Sequence, residues 1–469
     1  MRNLIEDILE AARKAGVQFA DLRIAEGSSL SISVQDGLTE RVSTGSGRSA
    51  GLRVLVDGAW GFAPTSDVSK AELLRCVEEA VAMARLAAPS VSDPGRVAEV
   101  PAVVDSVAAE FRIDPRGVAL KERVQAVYAM EQRARAEDKT RIVNTVARYG
   151  DGRGKLYLGS TNGTYLEQES VRCLAALSVV AQEGNVRQWA SESRANGRGY
   201  EVFAELDPEA FAGQTARRAL DLLQAAPPPA GKLEAVVDPK ITGLLVHEAF
   251  GHNCEADLVW AGESIVSDKL GQPVASPLIT IMDDPTLEGR NGSYRYDSEG
   301  TPAQAHPLVV DGILQGFMHS LETAARLEAT PNGAARAGGA MDPPQVRMSN
   351  TFIAPGTTSL AEMIADIEHG IYLTGGKWGY VATERGQFTC NAEQGFEICQ
   401  GKIGRRYRNV SFSGLTLETL RQVTAVGADL EFEMGGMCGK GGQGVPVDTG
   451  GPHMRIAELV IGGQEEPAP

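Results

Sequence analysis

Apolar residues at helical spacing open the chain. Leu4, Ile5, Ile8, Leu9 and Ala12 recur on one face and the pattern breaks at Gly16, which predicts an amphipathic helix over residues 3–15. The period then shortens. Leu30 to Val34 alternates and Gly51 to Val56 runs apolar, with Asp36-Gly37 and Asp57-Gly58 as turns, the pattern of an antiparallel meander. Helical spacing returns over Lys70 to Leu86 and again over Val118 to Glu137. A second strand group follows from Thr140 to Ala190, with Asp151-Gly152 and Asn162-Gly163 read as its turns. Asp207 to Ala225 is helical, opening on Asp-Pro. The order helix, meander, helix therefore occurs twice.

Pro227-Pro228-Pro229-Ala230-Gly231 is the clearest boundary, a short stiff linker ahead of a strand from Leu233 to Val237. Beyond the apolar run Ile241 to Val246 the second half reads mostly as strands: Leu278 to Met282, Leu308 to Met318 around Asp311-Gly312, Phe388 to Gln400, and Ile456 to Ile461. A short helix falls between Leu360 and His369, and glycine becomes dense toward the end. The expected fold is α+β in two domains: residues 1–226, helices with antiparallel meanders, and residues 227–469, strand-rich and carrying a metal-binding helix.

Composition narrows the function. A chain of 469 residues with 43% hydrophobic content can bury large cores. No stretch reaches the roughly 18 apolar residues needed to span a bilayer, and the first residues lack a secretion signal, so a cytoplasmic location is expected. Six scattered cysteines form no disulfide framework. A formal charge of -16 argues against nucleic acid or an anionic membrane as partner.

The candidate chemistry lies in His247-Glu248-Ala249-Phe250-Gly251-His252, two imidazoles enclosing a carboxylate. It exceeds the familiar H-E-x-x-H by one residue. On an α-helix residues four apart lie about 40° apart around the axis, whereas residues five apart differ by roughly 140°. Both rings can face one ion only if the helix widens to a π turn or ends so that His252 approaches from the following segment. Gly251 sits where either distortion costs least. Glu248 diverges from His247 and could reach a water at the ion's open position and take its proton. Two imidazoles need a further ligand. No third histidine stands nearby, and Glu255, Asp257, Glu263, Cys254 and Cys438 remain open for that place. Cys254 would form a cramped chelate, while Cys438 lies in Glu433 to Gly442, read as a flexible glycine-rich loop in which Lys440 could keep a thiolate ionised. His306, His319, His369 and His453 lack partner spacing and read as packed or surface histidines. Gly439-x-Gly441-x-x-Gly444 precedes no helix, so its phosphate-binding reading fails. Asp283-Asp284-Pro285 reads as a turn.

The stretch from His247 to Asp257 resembles the H-E-A-x-G-H-x-x-E-x-D signature of the TldD/PmbA metallopeptidases. Asp283 to Leu287, Asp297 to Gln304, Arg347 to Thr351, Gly401 to Arg405 and Met437 to Val447 are similar, in order, to further blocks of that family. Because the His motif and the late cysteine are both present, the chain looks like the catalytic TldD type. The resemblance implies His247, His252 and Cys438 as ligands of Zn2+ and Glu248 as catalytic base. It also implies cleavage of unfolded or small peptides, bound as an added strand in a cavity between two subunits, in a homodimer or in a heterodimer with a PmbA/TldE-type subunit. Two other readings of the same residues are a metal-dependent amidase or deformylase acting on a small molecule, and a non-catalytic assembly partner holding structural zinc.

Overall fold

A computed structural model describes residues 1–463. The opening helix α1 (Arg2–Lys14) buries Ile5, Ile8, Leu9 and Ala12, the face that the spacing marks. Then come β1 (Phe19–Gln35), β2 (Leu38–Val56), β3 (Ala59–Thr65), α2 (Lys70–Ala87), β4 (Val104–Val107), α3 (Leu120–Arg135), β5 (Ile142–Ser160), β6 (Tyr165–Glu183), β7 (Val186–Asn196), α4 (Glu201–Ala204) and α5 (Gln214–Leu223). The two meanders are not separate. β1 pairs with β5 from Asp21↔Ser160 to Gln35↔Val146, which joins them in one sheet of order β3-β2-β1-β5-β6-β4, with β7 on β6. One core packs α1 and α2 on this sheet and a second packs α3 and α5.

Three expected hairpin turns share one geometry. Asp36-Gly37, Asp57-Gly58 and Asp311-Gly312 all have positive φ at both residues (49° and 78°, 50° and 77°, 49° and 79°), the type I′ turn that matches strand twist. Asp151-Gly152 is a correction. It lies in the middle of β5, where Asp151 faces Leu30 on β1 and Cys173 on β6. A turn forms only where the flanking runs can pair with each other, and here both flanks already pair along their length with β1 and β6.

The remaining strands come from residues 231–463. They are β8 (Gly231–Val237), β9 (Ile281–Asp283), β10 (His306–Val310), β11 (Ile313–Leu314), β12 (Ala335–Arg336), β13 (Gln345–Val346), β14 (Asn350–Ile353), β15 (His369–Ala382), β16 (Gln387–Cys399), β17 (Lys402–Leu415), β18 (Val423–Val426), β19 (Glu431–Lys440), β20 (Gln443–Gly451) and β21 (Met454–Gly463). One sheet runs β11-β10-β9-β14-β20-β19. A second runs β17-β16-β15-β8-β21-β18, and because β17 also pairs with β21 it curls on itself, while β12 and β13 pair as a separate short ribbon. Helix α6 (Pro239–Leu245) lies between these sheets, and one continuous core containing Ile241, Leu245, Phe250, Met348, Leu373 and Val447 surrounds it. The fold is α+β with a strand-rich second half. No helix among the described residues is long and apolar enough to cross a membrane.

Candidate metal centre

Helix α6 starts at Asp238, whose carboxylate caps the Ile241 N–H at 2.8 Å, with Pro239 in the first helical position. The other carboxylate oxygen accepts from the Gly375 N–H at 2.8 Å and so ties the helix start to β15. After Leu245 the helix widens to a π turn over Val246–Phe250 and then tightens to a 3-10 turn over Gly251–Cys254. Both distortions open to the i, i+5 spacing are used in succession. The backbone groups released are satisfied locally: the Ala249 carbonyl accepts from Asn253 Nδ2 and from Thr416 Oγ1, each at 3.0 Å. Gly251 is required for a reason other than backbone freedom. Its φ of -57° and ψ of -44° are ordinary helical values, but a Cβ there would sit 2.1 Å from Met348 Sδ.

The glycine-rich segment around Cys438 is not the flexible loop that its composition suggests. It is strand β19, paired with β20 in the register Cys438↔Val445 and turned at Gly441-Gly442. Val445 and Val447 point into the core and fix that register. Buried Arg347 holds the hairpin by donating to the carbonyls of Cys438 and, at 3.2 Å, Gln443. Gly243 of α6 sits directly on β20, where a Cβ would approach Gly450 N to 2.7 Å. This close approach carries the hairpin to the distorted helix.

As a result one donor atom from each of His247, His252 and Cys438 lies within 4.8 Å of the others. Cys438 Sγ stands 3.7 Å from His252 Nε2, and the imidazole rings are 5.3 Å apart at 77°. His247 Nδ1 is buried without a hydrogen-bond partner among the described residues. Taken by themselves, the three groups favour a charge-separated state. Burial raises the Cys438 thiol, but the two histidines outweigh it and pull its pKa down to about 4. Burial lowers both imidazoles, but Cys438 with Glu248 raises His247, and Glu255 with Cys438 raises His252, further than burial lowers them. A thiolate is thus ready beside two nitrogens, a donor set that could hold a divalent metal ion.

Glu248 lies beside the cluster, its Oε2 4.0 Å from His252 Nε2, and it keeps 24% of its side chain exposed. Strand β15 crosses it at Gly379, where a Cβ would meet Glu248 Cγ at 2.9 Å. Of the other candidates, Glu255 is fully buried, outside the donor cluster, and accepts from His252 Nδ1 and Lys440 Nζ, each at 3.0 Å. It fixes the tautomer that leaves Nε2 facing Cys438. Sequence reasoning weighed Glu255 only as a ligand; its three-residue offset from His252 was the available signal. Lys440 is a second correction. It does not ionise the thiol: it shares the face of β19 with Cys438 but, two residues further along, its ammonium group is taken up by Glu255 and, at 2.7 Å, by Asp257, and the histidines pull the thiol down instead. Glu263 is exposed, and Cys254 is a core thiol pushed up by burial. His306 and His319 are packed, His369 is exposed, and His453 meets Tyr372 and Asp429. Asp283 does more than end a strand, since it accepts from Ser349 N–H at 2.8 Å, Ser349 Oγ at 2.6 Å and Thr351 Oγ1 at 2.7 Å.

Profiles of the three PmbA/TldA metallopeptidase domains match in order: domain 1 over residues 20–84, the central domain over 113–223 and the C-terminal domain over 230–463. A metalloprotease of Methanothermobacter thermautotrophicus is 38% identical, the match covering 95% of this chain and 96% of the relative. The chain belongs to the PmbA/TldD family. Other members include a metalloprotease TldD homolog of Haemophilus influenzae, 30% identical over 97% of this chain and 95% of its own, and a zinc metalloprotease TldD homolog of Saccharolobus solfataricus, 25% identical over 97% and 99%. The fold is shared with TldE of Thermococcus kodakarensis (TM-score 0.76, 18% identity, 98% of this chain and 100% of that one). It is shared also with a Thermotoga maritima protein described as a candidate modulator of a DNA gyrase (TM-score 0.80, 21% identity, 98% and 99%). At family level the activity is that of a metal-dependent protease.

Proposed function

We propose that this PmbA/TldD protein is a zinc peptidase. His247, His252 and Cys438 hold the ion, and Glu248 is the catalytic base. The observation that carries the reading is the meeting of two nitrogens and one sulfur within 4.8 Å at the lip of which Glu248 stands. Two imidazoles and one thiolate match the softness of zinc, and three protein ligands suit a catalytic site with an open position. The orphaned His247 Nδ1 and the Glu255 bond to His252 fit a ligand set with its orienting partner. Zinc, held by His247, His252 and Cys438, would supply Lewis acidity and make water acidic enough to give up a proton near neutral pH. Glu248 accepts the proton of the attacking water and delivers it to the leaving amine. Glu255, held by Lys440, keeps His252 in place while this occurs.

Two open strand edges favour a polypeptide over a small amide. β15 pairs with β8 only over Gly370–Leu373 and Asp238 caps the Gly375 N–H, so beyond Gly375 the stretch that passes over Glu248 has β16 as its one strand partner among the described residues. β19, which carries Cys438, pairs with β20 alone among the described residues. An unfolded or small peptide adding to such an edge is read by its main chain, and therefore by extended shape more than by side chains. Assembly as a homodimer, or as a heterodimer with a TldE-type subunit, would enclose that edge in a cavity and exclude folded proteins. The subunit is proposed to act in the cytoplasm, with neither nucleic acid nor membrane as partner.

Glu248→Gln tests the assignment, because the amide keeps the shape and cannot take a proton. The variant should bind metal at wild-type stoichiometry and cleave an unstructured peptide at least about 100-fold more slowly, the range of general-base contributions. A metal-loaded Glu248→Gln protein with wild-type turnover would refute the role.

A further inference from the structure

Behind the β19–β20 hairpin lies a cavity of about 580 Å3, walled by β5 and β6 on one side and by the hairpin and residues 291–298 on the other. Met437 lines it, while its neighbour Cys438 alternates to the other face of β19 and enters the donor cluster. Two guanidinium groups, Arg172 and Arg336, also line the cavity, and among the described residues neither makes an ion pair. Arg172 donates to the backbone carbonyl and, at 3.0 Å, to the side-chain oxygen of Asn291. Arg336 donates to the carbonyls of Met348 and, at 2.7 Å, Pro446, and lies 5.1 Å from the centre of the Tyr294 ring. Every one of these acceptors is neutral.

The carboxylates around the cavity are engaged elsewhere. Asp151 pairs with Arg123 at 2.7 Å. Asp297 accepts from the N–H groups of Glu299, Thr301 and Ala335. Asp448, the acid nearest in influence to Arg172, accepts from Asn291 N–H at 2.9 Å and Gly435 N–H at 3.0 Å and makes no ion pair. Burial together with the neighbouring Arg336 pushes the Arg172 pKa down to about 10, and the opposing pull of Asp448 does not make up the difference. Chains rarely bury guanidinium groups unpaired, and where they do around a cavity of ligand size the missing charge belongs to the ligand.

We propose that this cavity binds a small organic carboxylate, its charged end between Arg172 and Arg336 and its apolar body against Leu174, Pro446 and Met437. The planar forks of arginine suit a carboxylate or a phosphate alike. The apolar wall selects the organic anion over the bare inorganic one. This site lies on the opposite face of β19 from Cys438 and does not depend on the zinc reading.

Calorimetric titration of the full chain with N-acetyl-leucine, with its neutral amide and with inorganic phosphate tests the proposal. N-acetyl-leucine should bind, and the amide and phosphate should bind at least about tenfold more weakly, the discrimination one charged pairing provides. Arg172→Gln should lose about tenfold in affinity and Arg172→Lys less. Leu174→Glu, at a partly exposed position, should keep the wild-type unfolding temperature and lose binding, because its carboxylate takes the place of the ligand's. Failure of the wild-type chain to bind N-acetyl-leucine, equal binding of the amide or of phosphate, or a folded Leu174→Glu variant with unchanged affinity would each overturn it.

Discussion

Beneath His252 the carboxylates of Glu255 and Asp257 converge on the ammonium group of Lys440, which also donates to the Val346 carbonyl at 3.1 Å. Burial raises Glu255, yet Lys440 and His252 together hold it down to about 2, so it stays ionised and keeps its bond to the imidazole. Removing the cation reverses that balance. Lys440→Met should cost about 3–5 kcal/mol of stability, the range for breaking a buried pair from one side, and should also weaken metal binding as His252 loses its orienting acceptor. Thermal unfolding and metal titration check this, and a Lys440→Met protein with wild-type values for both would contradict it. His247, Glu248 and His252 were legible in the sequence because they fall within one hexapeptide whose helical geometry can be worked out. Cys438 stood among several open candidates for the third place, and only the family resemblance singled it out. The bond between Lys440 and Glu255 spans 185 residues and has no local signature.

Elements that close on their nearest neighbours were legible, and those that close on distant ones were not. Helices α1 and α2 and the I′ turns follow from local spacing and from Asp-Gly pairs. Asp151-Gly152 carries the same signal, but β1 and β6 lie on either side of it, and long-range pairing outweighs turn propensity. The segment around Cys438 reads as a loop by composition and becomes a strand because Arg347 and the core valines of β20 hold it. Glycine there serves close approach. Gly243 marks the contact between α6 and β20, so Gly243→Ala should force the hairpin outward, costing about 1–3 kcal/mol as overpacking does, and should lower metal affinity through the displaced Cys438. Comparing unfolding temperature and metal content with wild type measures both. A Gly243→Ala chain that keeps both would show that the hairpin is positioned by other contacts.

Across the whole molecule the first sheet meets the second half along a charged seam. Arg53 joins Asp21 to Glu299, Lys240 joins α6 to Glu192, and Arg218 joins Glu192 to Glu393. Some acids of this seam are held above their ordinary range. Burial lifts Glu433 to about 7 against the pull of Lys240, and lifts Asp448 to about 6 against its hydrogen bonds. Their folded pKa values exceed the unfolded ones of about 4.3 and 3.9. Their contribution is therefore complete below about pH 4 and is lost as pH rises through 6 and 7. His319 works the other way. Burial lowers it to about 4, so its contribution is lost as pH falls below about 6.5. Between these limits the expected result is an unfolding temperature higher at pH 6.5 than at pH 8.5 in metal-free buffer, with the difference reduced in Glu433→Gln. Equal differences in the two proteins would remove Glu433 from the account. The central claim is the donor set that joins the distorted helix to the last hairpin, and zinc-edge X-ray absorption of the purified chain tests it most directly. The account predicts nitrogen scatterers at about 2.0–2.1 Å and one sulfur at about 2.3 Å, the sulfur absent in Cys438→Ser; a wild-type spectrum without sulfur would contradict it.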